Sequence, residues 1–161
     1  DPALVLGLIR QESRFIGDTR SGVGASGLMQ LMPGTARWMA RKLGMEYRAS
    51  MIGDPAFNLQ VGAAYLKRLV DDFEGSLPMA TAAYNAGPGR PRRWREGAVL
   101  EPAAWAESIP FHETRDYVKK VLTNSLYYAA VLNGQGLPSL KTRLGPPIGP
   151  RDPARPTAEL P

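Results

Sequence analysis

Helix start and stop signals recur along the first 135 residues, and they constrain the fold of this chain more than any other feature. No segment shows the alternation of apolar and polar residues that a half-buried strand requires. Prolines open several apolar segments and glycines close them, which is the order expected at helix ends. We therefore predict an all-α domain over residues 1–135. Its helices are expected at 3–15, 33–43, 58–73, 77–85, 90–95, 102–107 and 113–132.

The composition changes after residue 135. Seven of the 15 prolines in the chain lie between 138 and 161, and this segment contains no aromatic residue. Proline removes a backbone donor and stops helices, and aromatic side chains supply much of the apolar area of a core. We therefore expect residues 136–161 to form a Pro-rich tail that is extended or disordered and lies outside the core.

Composition also excludes several kinds of site. The chain has no cysteine, which removes disulfides, thiolate metal sites and cysteine nucleophiles. Its one histidine, His112, cannot build a multi-histidine metal site, and no Gly-x-Ser-x-Gly pattern accompanies it. No apolar run reaches the ~18–20 residues that span a membrane, and no signal-peptide pattern is present in this chain. The net charge of +5 fits an anionic partner or ordinary solubility, but no nucleic-acid-binding signature accompanies it.

The first predicted helix carries the clearest candidate for chemistry. Val5, Leu8 and Ile9 follow the i, i+3, i+4 spacing of one helix face, and Glu12 continues it at i+7. Burial on such a face raises the pKa of a carboxyl, and a carboxylic acid that is protonated near neutral pH can act as a general acid. The same spacing also fits a structural glutamate, in a buried salt bridge or at the edge of the stripe.

Two further segments hold residues suited to a sugar groove. A glycine-rich stretch that begins at Ser21 leads to Gln30 and Met32, an amide that can bond hydroxyls and a thioether that can pack on a sugar ring. Tyr84 and Asn85 precede a Gly-Pro-Gly turn and combine an aromatic ring with an amide. A structural role explains these residues equally well, because each could pack in a loop or in the core or cap the turn.

The start of the longest predicted helix adds Glu113 and, one turn later, Tyr117. A carboxylate near a helix N-terminus is favourable with the helix dipole, which is a structural explanation for Glu113. Tyr117 lies on the apolar stripe of the same helix and equally suits the core.

Together these segments resemble the soluble lytic transglycosylase family of the lysozyme superfamily. The four stretches that carry the resemblance read RQESRF from Arg10, GASGLMQLMPGT from Gly24, AAYNAGPGR from Ala82 and ESIPFHETRDYV from Glu107. The resemblance covers roughly residues 3–133 and implies a lysozyme-like helical fold with a sugar-binding groove. One departure follows the first stretch, where Ile16-Gly17 occupy the place of the Asn-Pro that many members carry.

By position, the resemblance implies that Glu12 is the catalytic residue. It implies substrate-binding roles for Ser21, Gln30, Met32, Tyr84, Asn85, Glu113 and Tyr117, the last matching a tyrosine close to the catalytic glutamate. The implied partner is the peptidoglycan glycan strand of alternating N-acetylmuramic acid and N-acetylglucosamine, in the bacterial periplasm. The implied reaction is non-hydrolytic and leaves 1,6-anhydro ends. It needs neither a metal nor a cofactor.

Three alternative interpretations stay open at this point. A lysozyme-type hydrolase would need a second carboxylate, for which Asp18, Asp54 and Glu113 are candidates that no motif singles out. It would give reducing rather than anhydro product ends. A non-catalytic glycan-binding domain would show no turnover of purified peptidoglycan. A nucleic-acid-binding function rests on the positive charge alone and ranks last.

Overall fold

The computed structural model describes all 161 residues and contains helices and isolated β-bridges but no extended strand. The helices are α1 Pro2–Glu12, α2 Pro33–Lys42, α3 Pro55–Asp72, α4 Leu77–Ala86, α5 Gly89–Trp94, α6 Pro102–Ser108, α7 His112–Asn133 and α8 Leu140–Leu144, with a 3₁₀ turn at Ala49–Met51 between α2 and α3. The predicted all-α fold class is confirmed. None of these helices combines the length and apolarity that crossing a bilayer demands.

The third helix begins one turn earlier than the sequence predicts. Asp54, not Asn58, is its N-cap: the Asp54 carboxylate accepts a hydrogen bond of 2.9 Å from the backbone N–H of Phe57. Pro55 occupies the first helical turn, where a missing N–H costs nothing. Asn58 is therefore inside the helix, and its amide is free for contacts elsewhere.

The first helix ends earlier than expected, at Glu12 rather than at residue 15. Arg14 and Phe15 adopt left-handed backbone conformations, with φ of 53° and 66°, so the chain leaves the helix axis immediately after the glutamate. Left-handed φ values are uncommon for residues with a Cβ and concentrate near functional sites. Glu12 consequently lies at the end of the helix, with its side chain next to a sharp turn.

Helices α1 and α7 pack against each other at very close range, and Gly7 makes this possible. A Cβ at position 7 would lie 2.8 Å from the backbone oxygen of Val121 and 2.9 Å from the backbone nitrogen of Ser125. Any side chain there would force the two helix backbones apart. The close approach brings the last turn of α1 beside the first half of α7.

One hydrophobic core joins the helices. It contains fully buried residues from the first helix, the following loop, α3 and α7, among them Leu8, Met29, Val61, Leu66, Leu69, Val118 and Val121. Because these side chains interlock around α3, the loop before α2 and the ends of α1 and α4 are held in fixed positions.

The structure differs from the sequence expectation for residues 136–161, because residues 140–144 form the helix α8 and part of the segment packs in the core. Leu144 and Ile148 belong to the core, and Ile148 is only 2% exposed. The backbones of Ile148 and Leu100 exchange two hydrogen bonds of 2.8 and 2.9 Å, and buried Arg95 donates to the Gly149 carbonyl at 2.8 Å. Proline stops helices, but an extended segment still packs when partners elsewhere in the chain satisfy its polar groups.

Candidate functional site

Glu12, the last residue of α1, is partly buried between α1 and α7. Its Oε1 accepts a hydrogen bond of 2.5 Å from the Tyr117 hydroxyl, and it forms no ion pair. Burial raises the pKa of Glu12 to about 7, and the Tyr117 hydrogen bond opposes this rise without cancelling it. Leu8 and Ile9 on the same face are buried, as the spacing predicts. The salt-bridge explanation of Glu12 is therefore wrong, and the residue can give and take a proton near neutral pH.

Two tyrosine hydroxyls are close enough to Glu12 for its charge to affect them. Burial raises the pKa of both Tyr84 and Tyr117 well above the usual value, and the Glu12 carboxylate raises both further. Both phenols consequently stay protonated and act as hydrogen-bond donors. Tyr84 donates to the Met29 carbonyl at 2.8 Å, while Tyr117 donates to Glu12 itself. The sequence alone left a purely core role open for both tyrosines.

No second carboxylate affects the pKa of Glu12 or shares a hydrogen bond with it. Only burial and Tyr117 shift its pKa. Of the three candidates named from the sequence, Asp54 caps α3, and Asp18 and Glu113 are exposed residues without a hydrogen-bond or ion-pair partner. Glu12 is therefore a carboxyl whose one side-chain hydrogen-bond partner is Tyr117, with no carboxylate coupled to it.

The loop before α2 is held by Asn58, which the sequence analysis placed only at the start of the predicted helix 58–73. Asn58 is fully buried, accepts a hydrogen bond from the Met29 N–H, and donates to the carbonyls of Ser26 and Ile52, each at 2.8 Å. Gly27 fits against it with a φ of 82°, and a Cβ there would lie 2.2 Å from the Asn58 amide nitrogen. An amide on the apolar face of α3 was the signal that could have revealed this clamp.

Gln30 extends from that clamped loop. Its backbone is left-handed, with a φ of 47°, and its side-chain amide nitrogen donates to the carbonyls of Thr19 and Gly27, both at 2.8 Å. Its side-chain oxygen is therefore the only group left to contact a ligand, and it can only accept. Ser21 is different: its hydroxyl accepts a hydrogen bond from the Ala25 N–H within its own turn, which is a structural role.

A cleft of about 200 Å³ brings together four residues singled out from the sequence: Gln30, Met32, Tyr84 and Asn85. The Asn85 side-chain oxygen accepts a hydrogen bond of 2.8 Å from Thr114 on α7, which leaves its amide nitrogen as a donor. Met32 is 43% exposed at the start of α2. The cleft thus offers an acceptor, a donor, an aromatic ring and a thioether, a combination suited to a polar sugar with apolar faces.

Glu113 does not line that cleft. It is exposed in the first turn of α7, one turn before Tyr117 on the same side of the helix. The neighbouring Thr114 contacts Asn85, so Glu113 lies near the groove and its carboxylate oxygens have no partner within the chain. Elsewhere, no cluster of three or more acidic, histidine or cysteine side chains could hold a metal ion.

Comparison with known proteins supplies an independent line of evidence. Residues 1–102 match the family model described as the transglycosylase SLT domain, and residues 108–136 match that of the soluble lytic transglycosylase helical domain. The soluble lytic murein transglycosylases of Salmonella typhimurium and Escherichia coli K12 are each 42% identical over 127 residues, which cover 76% of this chain and 20% of the relative. The chain therefore spans about a fifth of the length of these curated relatives.

Solved structures show the same fold. The lytic transglycosylase Slt of Pseudomonas aeruginosa, in an inactive glutamate-to-glutamine mutant, superposes with a TM-score of 0.81 at 44% identity, covering 85% of this chain and 23% of that one. The 70-kDa soluble lytic transglycosylase of Escherichia coli gives a TM-score of 0.81 at 38% identity, covering 90% and 24%. A complex of the 70-kDa soluble lytic transglycosylase with bulgecin A gives 0.78 at 36% identity, covering 86% and 23%. These similarities confirm the predicted lysozyme-like helical fold.

Proposed function

Because the chain belongs to the transglycosylase SLT domain family, we propose that it is a peptidoglycan lytic transglycosylase in which Glu12 is both acid and base. The observation that carries this proposal is the state of Glu12: a partly buried carboxyl with a pKa near 7, one tyrosine donor and no partner carboxylate. The inactive glutamate-to-glutamine mutant of the Pseudomonas relative supports an essential glutamate in such enzymes. Because peptidoglycan is the proposed substrate, we propose the bacterial periplasm as the site of action.

The proposed reaction begins with protonated Glu12. It donates its proton to O4 of the sugar that leaves, the bond between that oxygen and C1 of N-acetylmuramic acid breaks, and positive charge develops at C1. The resemblance to soluble lytic transglycosylases implies that the substrate's own N-acetyl group stabilises this charge. A pKa near 7 suits the step because a sizeable fraction of Glu12 is protonated at neutral pH.

The second step uses the same residue as a base. Ionised Glu12 takes the proton of the C6 hydroxyl, and O6 forms a bond to C1, which gives a 1,6-anhydro end and returns Glu12 to its protonated state. Tyr117 contributes here, because its hydrogen bond favours the ionised form that exists between the steps. No water is consumed, and the products together have the mass of the substrate.

The groove residues would hold the glycan for these steps. The Gln30 side-chain oxygen accepts from a hydroxyl or amide N–H, the Asn85 amide nitrogen donates to a carbonyl or hydroxyl, and Met32 packs on a ring face. Glu113, with both carboxylate oxygens free, would accept further hydrogen bonds from the sugar and orient it. Ser21 would contribute through the shape of its turn.

Product analysis tests the proposal. Purified protein is incubated with peptidoglycan, and the ends of the released fragments are identified by mass spectrometry, since an anhydro end is lighter than a reducing end by one water. We expect anhydro ends from the wild type, no products from Glu12→Gln, and unchanged turnover from Glu46→Gln, which alters an exposed glutamate outside the site. Reducing ends from the wild type, or substantial turnover by Glu12→Gln, would refute the mechanism.

A further inference from the structure

Residues 158–161, which we term the strap, run from a contact with α3 and α5 to the cleft, which Pro161 lines. At the start of the strap, the Ala158 N–H donates to the Asp72 carboxylate at 3.1 Å, and the Ala158 carbonyl accepts from the Arg92 guanidinium at 3.0 Å. Asp72 ends α3 and Arg92 lies in α5, and the two form an ion pair of 2.8 Å. The strap is therefore attached to both helices by one residue.

The other end of the strap reaches α2. The Glu159 carboxylate lies 3.9 Å from the Lys42 ammonium at the end of that helix, and Leu160 packs against the hydrophobic core. Pro161 then lines the same cleft as Met32, the N-cap of α2, and Pro88, which precedes α5. The strap thus contacts α2 at Lys42 and ends in the cleft at Pro161.

The contacts that hold the strap at Ala158 involve a buried side chain, that of Asp72. The side chain of Asp72 is only 2% exposed, and its two oxygens are used by Arg92 and by the Ala158 N–H. A buried carboxylate is costly unless such partners are present, so releasing Ala158 would leave one oxygen of Asp72 without a partner. Further upstream, Ile148 and Gly149 are tied to Leu100 and Arg95. These contacts fix where the strap enters the cleft.

We propose that the strap is an end wall of the sugar groove and sets how many sugars bind on the side of α2 and α5. The inference rests on the proposed function, because it takes the cleft of Gln30, Tyr84 and Asn85 as part of the glycan path. Pro161 shares the lining of this cleft with Met32 and Pro88, so a glycan that follows the cleft towards these residues meets the proline. The proline ring has no N–H and offers an apolar face, so it limits the path without holding the next sugar by a donor.

The test measures how binding depends on glycan length, with Glu12→Gln in every protein so that the ligand is not consumed. Peptide-free glycan oligomers of increasing length are titrated by calorimetry. The strap variant carries Leu160→Gly and Pro161→Gly, which remove the wall and keep the Ala158 contacts. The matched control carries Pro153→Gly and Ala154→Gly, two exposed positions of the same segment. Thermal melts establish that each protein is folded, and Pro161→Gly alone serves if the double variant is not.

With the wall in place, affinity should stop rising once the oligomer fills the groove. In the strap variant the plateau in affinity should shift to longer oligomers, and each added sugar that now binds should raise the affinity severalfold. The control should keep the original plateau. The same plateau in all three proteins would overturn the end-wall inference and leave the proposed function intact. No binding at any length, even with Glu12→Gln alone, would instead contradict the proposed function.

Discussion

The hydroxyl of Tyr117 lies 2.5 Å from Oε1 of Glu12, although 105 residues separate them in the chain. The contact exists because Gly7 lets α1 approach α7, so that the end of one helix meets the second turn of the other. It places two opposing influences on one carboxyl: burial raises the pKa of Glu12 and the tyrosine lowers it. The balance leaves the pKa near neutral, where proton transfer in both directions is efficient.

Replacing Tyr117 by phenylalanine should move the pH dependence of turnover. The change removes the hydrogen bond to Glu12 and leaves the ring, so burial acts unopposed and the pKa of Glu12 rises further above about 7. The limb of the pH–rate profile that reports loss of the Glu12 proton should therefore shift to higher pH, with a lower maximal rate. Tyr127→Phe, at a 59% exposed position of the same helix, should leave the profile unchanged. A shift to lower pH would show that Tyr117 does not act through Glu12.

Glu12→Gln should stabilise the fold at alkaline pH but not at acidic pH. A carboxyl whose pKa is 4.5 in the unfolded chain and about 7 in the folded one holds its proton longer when folded, so wild-type stability falls as pH rises from 4.5 through 7. The free energy of unfolding of the wild type falls by about 3 kcal/mol over this range, whereas glutamine does not ionise and causes no such fall. Urea unfolding at pH 4 and pH 8 measures the free energy of unfolding of the wild type and of Glu12→Gln. The two proteins should be nearly equal in stability at pH 4. Equal effects at both pH values would show that the pKa is not raised.

Glu113→Gln should weaken glycan binding and slow turnover, yet leave activity that can be measured and the same anhydro product. The exposed carboxylate has no partner within the chain and does not shift the pKa of Glu12, so it is suited to accepting hydrogen bonds from the sugar. Kinetics over a range of substrate concentrations, with product mass analysis, provide the check. A covalent sugar adduct trapped on Glu113 would assign it the role of nucleophile and favour a two-carboxylate hydrolase.

Ile148→Ala should destabilise the domain by about 2–5 kcal/mol, the usual cost of emptying a buried aliphatic site. Ile148 is 2% exposed in the core, although it lies in the Pro-rich segment. Leu137→Ala in the same segment is the control, because Leu137 is 59% exposed and its loss should change stability by less than about 0.5 kcal/mol. Denaturant titration measures the free energy of unfolding of both variants. If the two costs were equally small, the segment would not pack on the domain.

Local rules allowed the sequence to predict the helices and the main catalytic candidate. Proline at a helix start and glycine after a helix end act within a turn of the chain, so the positions of α2 and α4 follow from nearby residues. The placement of Glu12 on an apolar face follows in the same way from the 3.6-residue period. Such rules are less exact about boundaries: the start of α3 was predicted at residue 58, whereas Asp54 caps the helix and Pro55 begins it.

Only the tertiary structure decided which distant groups meet. Asn58 clamps a loop about 30 residues away, Tyr117 reaches Glu12 from the other end of the domain, and Ile148 finds Leu100 and the core. Proline density predicted a tail outside the core, and it carries no information about a partner such as Arg95 or Asp72. The physical reason is the distance along the sequence over which each effect acts. Propensity and periodicity depend on a few neighbouring residues, whereas burial, pKa shifts and groove shape depend on which helix faces pack together.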